Sequence, residues 1–279
     1  VIPFSKVTAK SVQKLVQDAI FSRGPKAPTA FFIGGSNVQE AEKIAKNVLK
    51  ALVPPFEAPV IIDPRGSSTT ASAVVAKTLE LAEDHGIVEI AGKKVVVLGT
   101  GPVGRIATVL AAKLQCKTVL VETWDKSSEE FVKNLARKLA QEAGTDASEI
   151  IGEFASTDER KLEILDDADI VWSVAAAGVQ IISRKMLEVL PPNKIMIDIN
   201  AVPPAGIEGL KPKHDNIEFV PGSYGTGSLA LGRLKYAIES EILKQVSETK
   251  GKKVYDYNLA FEIAQTLVSG KKKSLIIAK

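Results

Sequence analysis

Three glycines near the middle of the chain have the spacing of a phosphate-binding loop. Gly99, Gly101 and Gly104 follow the β-branched run at 93–98 and open an apolar helical segment. In that context the first glycine permits a tight turn, the second lets a pyrophosphate approach the backbone, and the third allows close packing of helix and strand. Free N–H groups at the start of the helix then face the negative charge. The predicted phosphate-binding residues are Gly99, Thr100, Gly101, Pro102, Val103 and Gly104, and the alternative is a glycine-rich turn without a ligand.

A carboxylate closes the next predicted strand, 18 residues after the last of these glycines. Glu122 can accept hydrogen bonds from ribose hydroxyls, and its charge repels a 2′-phosphate. Glu122 and the neighbouring Thr123 therefore predict a site for the ribose of a dinucleotide, with NAD favoured over NADP. Lys126 follows closely and keeps NADP use open, while the plain alternative for Glu122 is a solvated acid at the end of a strand.

Strands and helices alternate along the chain, which is typical of a parallel sheet covered by helices on both faces. The predicted strands are 30–33, 59–63, 93–98, 118–121, 168–174 and 194–199, and the predicted helices are 8–21, 38–52, 69–84, the segment from the glycine loop to 114, 131–143, 229–246 and 257–268. We expect Ser67 or Ser68 to be the N-cap of the helix that begins at Thr69. The expected fold class is α/β. A Rossmann-type parallel-sheet dinucleotide-binding domain is predicted at 87–227, and a smaller α/β catalytic domain is predicted at 1–86 and 228–279, completed by the C-terminal helices.

The composition excludes several classes of protein. The 279 residues are 45% hydrophobic and 25% charged, which is the balance of a globular enzyme. The net charge of +3 is too small to predict a nucleic-acid partner. No apolar run reaches the roughly 20 residues of a membrane helix, and the single cysteine, Cys116, favours a reducing compartment, so we expect a cytoplasmic protein without a membrane partner. His85 and His214 are far apart and no H-E-x-x-H or C-x-x-C motif occurs, so no metal site is expected.

Two further segments are far more specific than the glycine loop. Residues 63–70 read D-P-R-G-S-S-T-T, and residues 198–207 read D-I-N-A-V-P-P-A-G-I. The segment F-I-G-G at 32–35 precedes them and G-T-G at 225–227 follows them. With these segments in this order over nearly its whole length, the chain resembles the NAD(P)-dependent methylene-tetrahydromethanopterin dehydrogenases, a family that includes members active on methylene-tetrahydrofolate.

The resemblance implies a reaction as well as a fold. A hydride passes from a methylene-tetrahydropterin, the substrate carrier, to NAD(P)+ and leaves the methenyl form, in one-carbon metabolism. That product is a cation stabilised by its own nitrogens, so no proton moves, and the protein needs neither a Ser-His-Asp triad nor a metal. What the protein supplies is position. The resemblance also implies a pterin cleft between the domains, a homo-oligomer, and a further N-terminal segment that carries an acidic residue near the cleft.

The substrate wall of that cleft is expected at the start of the helix after the second strand. The candidate positioning residues are Asp63, Ser67, Thr69 and Thr70. Their hydroxyls could instead cap the helix. The lysine-rich helix start of the family appears here as Arg233-Leu234-Lys235, and both Arg233 and Lys235 are candidate substrate contacts. Lys235 is the preferred cation and, with Asp63, the predicted catalytic pair, while the alternative for Lys235 is a solvated helix face.

The cofactor wall should continue beyond the glycine loop. Ala175 and Ala176 leave room for a ribose of the dinucleotide, although tight core packing also explains small residues there. Asn200 ends a strand beside Ala201 and could hold the carboxamide or a ribose. The two tryptophans, Trp124 and Trp172, are expected in the core or at its rim rather than as stacking platforms for the pterin.

Two other functions stay open on the sequence alone. A two-domain dehydrogenase of a shikimate-like or amino-acid-like substrate would need an acid–base pair beside the hydroxyl that it oxidises, because alcohol oxidation releases a proton. Lys6 with Asp63 is conceivable as such a pair. A non-catalytic dinucleotide sensor would bind the cofactor and show no turnover with any pterin.

Overall fold

The computed structural model describes residues 1–23, 28–87 and 89–277. In chain order the helices are α1 (Val12–Ser22), α2 (Val38–Ala51), α3 (Ser67–Asp84), α4 (Pro102–Lys113), α5 (Glu129–Ala143), α6 (Asp158–Leu165), α7 (Arg184–Val189), α8 (Ser228–Glu248) and α9 (Tyr257–Ile277). The strands are β1 (Phe31–Ile33), β2 (Val60–Ile62), β3 (Lys94–Leu98), β4 (Lys117–Glu122), β5 (Ile150–Phe154), β6 (Ile170–Ser173), β7 (Ile195–Asp198), β8 (Ile217–Val220), β9 (Ser223–Thr226) and β10 (Val254–Tyr255).

The larger sheet has the strand order β5-β4-β3-β6-β7-β9-β8. Its strands are parallel except β8, which pairs antiparallel with β9 at the edge. Numbered within the sheet, the parallel strands follow the order 3-2-1-4-5-6 of a dinucleotide-binding Rossmann sheet. The order reverses between β3 and β6, and ligands bind in the crevice outside the carboxyl ends of the strands at such a reversal. The predicted α/β class with a Rossmann-type parallel sheet is confirmed.

The smaller sheet has the order β1-β2-β10, with both pairings parallel. Its third strand comes from the C-terminal part of the chain, so the return of the chain through α8 completes this sheet. Helices α1 and α2 pack on it in a cluster of their own that includes Val16, Ala45 and Val60. The carboxyl ends of β1 and β2 lead into Gly34 and Asp63, the segments that carry two of the sequence motifs.

The largest hydrophobic core joins the large sheet to helices that the predicted division assigns to the other domain. Buried side chains of α3, α8 and α9, among them Val74, Ile238 and Ala264, lie in one cluster with strands of the large sheet. Trp172 of β6 is only 1% exposed, and its indole N–H donates to Thr78 Oγ1 of α3 at 2.9 Å. Trp172 is therefore a core residue, as predicted. The domain boundaries after residues 86 and 227 stay a prediction.

The start of α3 differs from the prediction. A 3-10 turn at Pro64–Gly66 leads directly into the helix, which begins at Ser67 with Gly66 as its N-cap residue. The expectation that Ser67 or Ser68 is the N-cap is wrong. Instead, Asp63 binds the first turn from outside the helix, because its Oδ1 accepts a hydrogen bond from the backbone N–H of Ser68 at 2.8 Å.

Two smaller predictions concern burial and membrane contact. Cys116 is fully buried, and burial raises the pKa of its thiol to about 12, as befits a small apolar core residue. Across the described ranges, none of the helices combines the length and the apolar character needed to cross a bilayer.

Candidate active site

The glycine loop is packed on two sides and open on the third. Gly99 has φ +129°, and a Cβ there would stand 2.8 Å from the backbone N of Ala175. A Cβ on Gly104 would collide with the carbonyl oxygen of Gly99, so the helix can approach the strand only without a side chain. At Gly101, by contrast, a Cβ would meet no atom within 4 Å. The loop is thus clamped between β6 and α4 and leaves free space at its middle glycine.

The first turn of α4 presents donors to that space. Pro102 occupies the first helical position, and the first i→i−4 bond runs from Arg105 N to Gly101 O at 3.0 Å. The N–H groups of Val103 and Gly104 precede that bond, and such N–H groups have no partner within their own helix. Arg105 Nε donates to Thr100 O at 2.7 Å and fixes the loop. Backbone donors, the helix dipole and an open approach together fit the pyrophosphate of a dinucleotide.

Glu122 ties the glycine loop to the loop after β4. Its Oε2 accepts the Thr100 hydroxyl at 2.5 Å, and its Oε1 accepts the backbone N–H groups of Thr123 and Trp124, each at 2.9 Å. A carboxylate offers about four acceptor positions, so three donors leave about one for a ribose hydroxyl. The sequence correctly placed Glu122 at the end of β4, and its contact with a ribose stays a prediction.

Asn200 joins the loops that follow β6 and β7. Its Oδ1 accepts the N–H groups of Gly178 and Val202, both at 3.0 Å, and its Nδ2 donates to Pro204 O at 2.8 Å. The side-chain amide is therefore committed to shaping this wall of the crevice. A direct contact from Asn200 to the dinucleotide stays a prediction. Ala175 lies beside Gly99, whereas Ala176 and Ala201 are exposed along the same wall.

Asp198 organises the same wall and was missed by the sequence argument. It is buried at the end of β7, and burial raises the pKa of its carboxyl. Its oxygens accept the backbone N–H groups of Asn200 at 3.0 Å and Ile207 at 3.1 Å, so it holds both ends of the intervening loop. The available signal was an acid at the carboxyl end of a buried strand, directly before Asn200.

Asp63 and the hydroxyls after it form a closed network at the start of α3. Asp63 is buried and accepts the Thr69 hydroxyl at 2.8 Å, in addition to the N–H of Ser68. Ser67 Oγ donates to Pro64 O and Thr70 Oγ1 donates to Gly66 O, both at 2.6 Å. Ser67 and Thr69 are buried, and Thr70 is half-buried. Burial raises the pKa of the Asp63 carboxyl despite these donors. The structure thus brings the predicted residues together, and their contact with a substrate stays a prediction.

Lys235 of α8 reaches the same place from the other end of the chain. Its ammonium lies over Gly66, where a Cβ would stand 3.2 Å from Lys235 Nζ, and its charge attracts the Asp63 carboxylate. Glu239, one turn further along α8, pairs with the ammonium. Among the described residues, no hydrogen bond or ion pair joins Asp63 to Lys6, the pair that was conceivable as the acid–base pair of an alcohol dehydrogenase.

Arg233 does not belong to this group. Its guanidinium pairs with Asp215 at 3.0 Å, and Asp215 also pairs with Lys77 of α3 at 2.7 Å. Two residues along a helix point in different directions, which explains why Arg233 and Lys235 diverge. The described side chains also include no group of three or more His, Cys, Asp or Glu residues arranged to hold a metal ion.

The strand order, the clamped glycine loop and the acid at the end of β4 define a dinucleotide-binding protein of the Rossmann class. The NAD-dependent malic enzyme of Thermotoga maritima shows the same general fold, with 15% identity, a TM-score of 0.51, and coverage of 96% of this chain and 72% of that one. Residues 1–65 match the profile described as "Methylene-tetrahydromethanopterin dehydrogenase, N-terminal".

Two proteins of Methylorubrum extorquens are similar over most of their length. One is named NAD(P)-dependent methylenetetrahydromethanopterin dehydrogenase and is 33% identical over 94% of this chain and 88% of its own. The other, the bifunctional protein MdtA, is 28% identical over the same shares of the two chains. The chain belongs to the family of NAD(P)-dependent methylenetetrahydromethanopterin dehydrogenases, and the resemblance inferred from its motifs is confirmed.

Proposed function

We propose that this protein oxidises a methylene-tetrahydropterin, with methylene-tetrahydromethanopterin as the first candidate, to the methenyl form with NAD(P)+. The observation that carries the proposal is the 33% identity over 94% of the chain with an enzyme whose name states this activity. The two walls of the crevice support it, because one fits a dinucleotide and the other carries a cation beside a buried carboxylate.

The reaction requires alignment of the methylene carbon with the nicotinamide, and it requires no proton transfer. The C–H bond of the methylene bridge breaks with its electron pair, and the two flanking nitrogens share the positive charge that remains. Bound NAD(P)+ supplies the hydride acceptor. No proton is released in this step, so the site needs no general base. Asp63 fits that requirement, because its carboxylate is occupied by Ser68 and Thr69 and holds the start of α3 in place.

Lys235 is the group on the substrate wall with freedom to meet a ligand. Its ammonium is partly exposed and paired with Glu239 on the same helix, and an exposed i,i+4 pair contributes only about 0.3–0.5 kcal/mol. A carbonyl or a carboxylate of the pterin can therefore displace or join that pair at little cost. Lys235 would fix the ring or the acidic tail of the substrate relative to the nicotinamide.

An absorbance assay tests the proposal directly. Purified protein is mixed with methylene-tetrahydromethanopterin or methylene-tetrahydrofolate, each with NAD+ and then NADP+, and the methenyl product and reduced nicotinamide are followed together. We expect equal rates of both products with at least one pair, because one hydride makes one of each. Dinucleotide binding without turnover of any pair would reject the reaction and leave the two alternatives, a dehydrogenase of a shikimate-like or amino-acid-like substrate and a dinucleotide sensor.

Two further expectations accompany this function. We propose that the enzyme acts in the cytoplasm, where a reduced Cys116 is stable, and that it is a homo-oligomer, as the family resemblance implies. Light scattering of the purified protein measures the assembly, and a mass equal to the 29.8 kDa of one chain would contradict that proposal.

A further inference from the structure

The side chain of Trp124 is large and apolar, and it is not buried in a hydrophobic core. It is 62% exposed, whereas the other tryptophan, Trp172, is 1% exposed. The expectation that both tryptophans belong to the core or its rim therefore holds for Trp172 only. An exposed indole beside a binding crevice presents an apolar face on which a flat ligand can stack.

The position of Trp124 is fixed by the same carboxylate that fixes the glycine loop. Glu122 accepts the Thr100 hydroxyl through one oxygen and the Trp124 N–H through the other, at 2.5 Å and 2.9 Å. On the other side, Trp124 O accepts the N–H of Ser127 at 2.9 Å. The backbone of Trp124 is thus held on both sides, so binding of a ligand to the indole does not require ordering of the loop backbone.

The geometry points to the adenine of the dinucleotide as the ligand of this indole, and we propose that Trp124 is the stacking face of the adenine subsite. The assignment rests on the proposed function. With the pyrophosphate at Gly101 and the ribose at Glu122, the adenine attached to that ribose lies on the side of the loop that follows β4. Trp124 is part of that loop. An uncharged purine needs an aromatic face there and no ion pair, and stacking is largely independent of whether the ribose carries a 2′-phosphate.

The intrinsic fluorescence of the protein tests this subsite without turnover. The chain has only two tryptophans, and Trp172 is sealed in the core, so a change of emission on titration with 5′-AMP reports Trp124. We expect AMP and NAD+ each to quench the emission of the natural protein. In Trp124→Phe, which keeps a stacking ring and leaves only Trp172, neither ligand should change the emission, although calorimetry should still detect NAD+ binding.

Affinity supplies the second readout. Trp124→Ala should weaken NAD+ binding about fivefold to tenfold, the range expected for loss of one aromatic stack, and Trp124→Phe should weaken it less than threefold. Phe21→Ala is the matched control, because Phe21 is 61% exposed and lies on α1, away from the large sheet. NAD+ affinity within twofold of the natural value in Trp124→Ala, or unchanged emission when AMP binds, would overturn the subsite. Pterin turnover that persists in either case keeps the proposed function, whereas natural protein that binds neither NAD+ nor NADP+ rejects both.

Discussion

The two walls of the crevice are built by opposite means. The cofactor wall offers vacant space and backbone donors, since Gly101 faces no atom within 4 Å while Gly99 and Gly104 are tightly packed. On the predicted substrate wall, side chains bond one another, and Asp63 accepts hydrogen bonds from the first turn of α3. The predicted diphosphate site consists mainly of main-chain groups that local sequence sets, whereas the predicted pterin wall depends on α8 bringing Lys235 back to residues far earlier in the chain. The predicted dinucleotide site is thus a local one, formed by residues close together in the sequence. The predicted pterin site is an assembled one, formed by segments far apart in the sequence.

Gly104→Ala should cause the largest loss, because the new Cβ collides with a backbone oxygen that no side-chain rotation can move. We expect the free energy of unfolding to fall by about 3 kcal/mol, the upper range for overpacking, although alanine is the better helix former. Urea denaturation measures it. The control is Gly101→Ala, which has open space and should keep its stability within about 0.5 kcal/mol. Equal losses of stability in the two variants would contradict the conclusion that the loop is tightly packed at Gly104 and open at Gly101.

Lys235→Ala tests whether the predicted substrate wall and the predicted cofactor wall act independently. We expect kcat/KM for the methylene pterin to fall about thirtyfold, since a hydrogen bond to a charged group contributes about 2 kcal/mol. The affinity for NAD+ should stay within twofold, which calorimetry can establish. Lys244→Ala, which removes an exposed lysine of the same helix, should change neither quantity. A parallel loss of NAD+ affinity in Lys235→Ala would show that the two walls are not independent.

Replacement of Glu122 by Gly together with Thr123→Arg should shift cofactor preference. The variant loses the charge that repels a 2′-phosphate and gains a cation, so the ratio of kcat/KM for NADP+ to that for NAD+ should rise about tenfold. Glu122→Gln is the matched control, because it keeps the shape that holds Thr100 and Trp124 and removes only the charge. It should move the ratio in the same direction by less. An unchanged ratio in the double variant would remove Glu122 from the ribose site.

Asp63→Asn should have the smallest effect, and its sign depends on pH. Burial raises the folded pKa of Asp63 above the ordinary value of 3.8, so the folded state holds the proton more tightly than the unfolded state. The stabilisation from that proton is complete below pH 3.8 and is lost as the pH rises through the folded pKa. Relative to Asp63→Asn, the natural protein should therefore lose stability across that window. Urea denaturation of both proteins from acid to neutral pH tests this, and a difference that is constant with pH would refute it.

The sequence placed the glycine loop and Glu122 correctly in the fold, and the contacts of the predicted site residues with ligands stay predictions. Gly99, Gly101, Gly104 and Glu122 could be located because their roles follow from strand, turn and helix within one βαβ unit. The cap of α3 was predicted wrongly, since the 3-10 turn that lets Asp63 reach the N–H of Ser68 leaves no periodic signal. The ion pair of Arg233 likewise depends on Asp215, which comes from a loop before α8 and could not be predicted from the helix itself.

The sequence did not reveal four strands, β5, β8, β9 and β10, and the last two of these share one cause. β9 reads Ser-Tyr-Gly-Thr and β10 has two residues, so neither shows an apolar alternation of its own. Each exists because a neighbouring strand offers a row of backbone partners, β7 for β9 and β2 for β10. A strand that forms only because a neighbouring strand pairs with it leaves no pattern in its own local sequence.

The hydrogen bond between Trp172 and Thr78 has a mechanical consequence. It fastens α3 to β6, the strand against which the glycine loop is clamped, and the 18 residues of α3 form a strut about 27 Å long. The first turn of α3 also binds Asp63, whose backbone N–H donates to Ile33 O of β1 at 3.1 Å, so α3 links the large sheet to the three-stranded sheet. We therefore expect the relative position of the two predicted binding walls to be fixed when the chain folds, before any ligand binds.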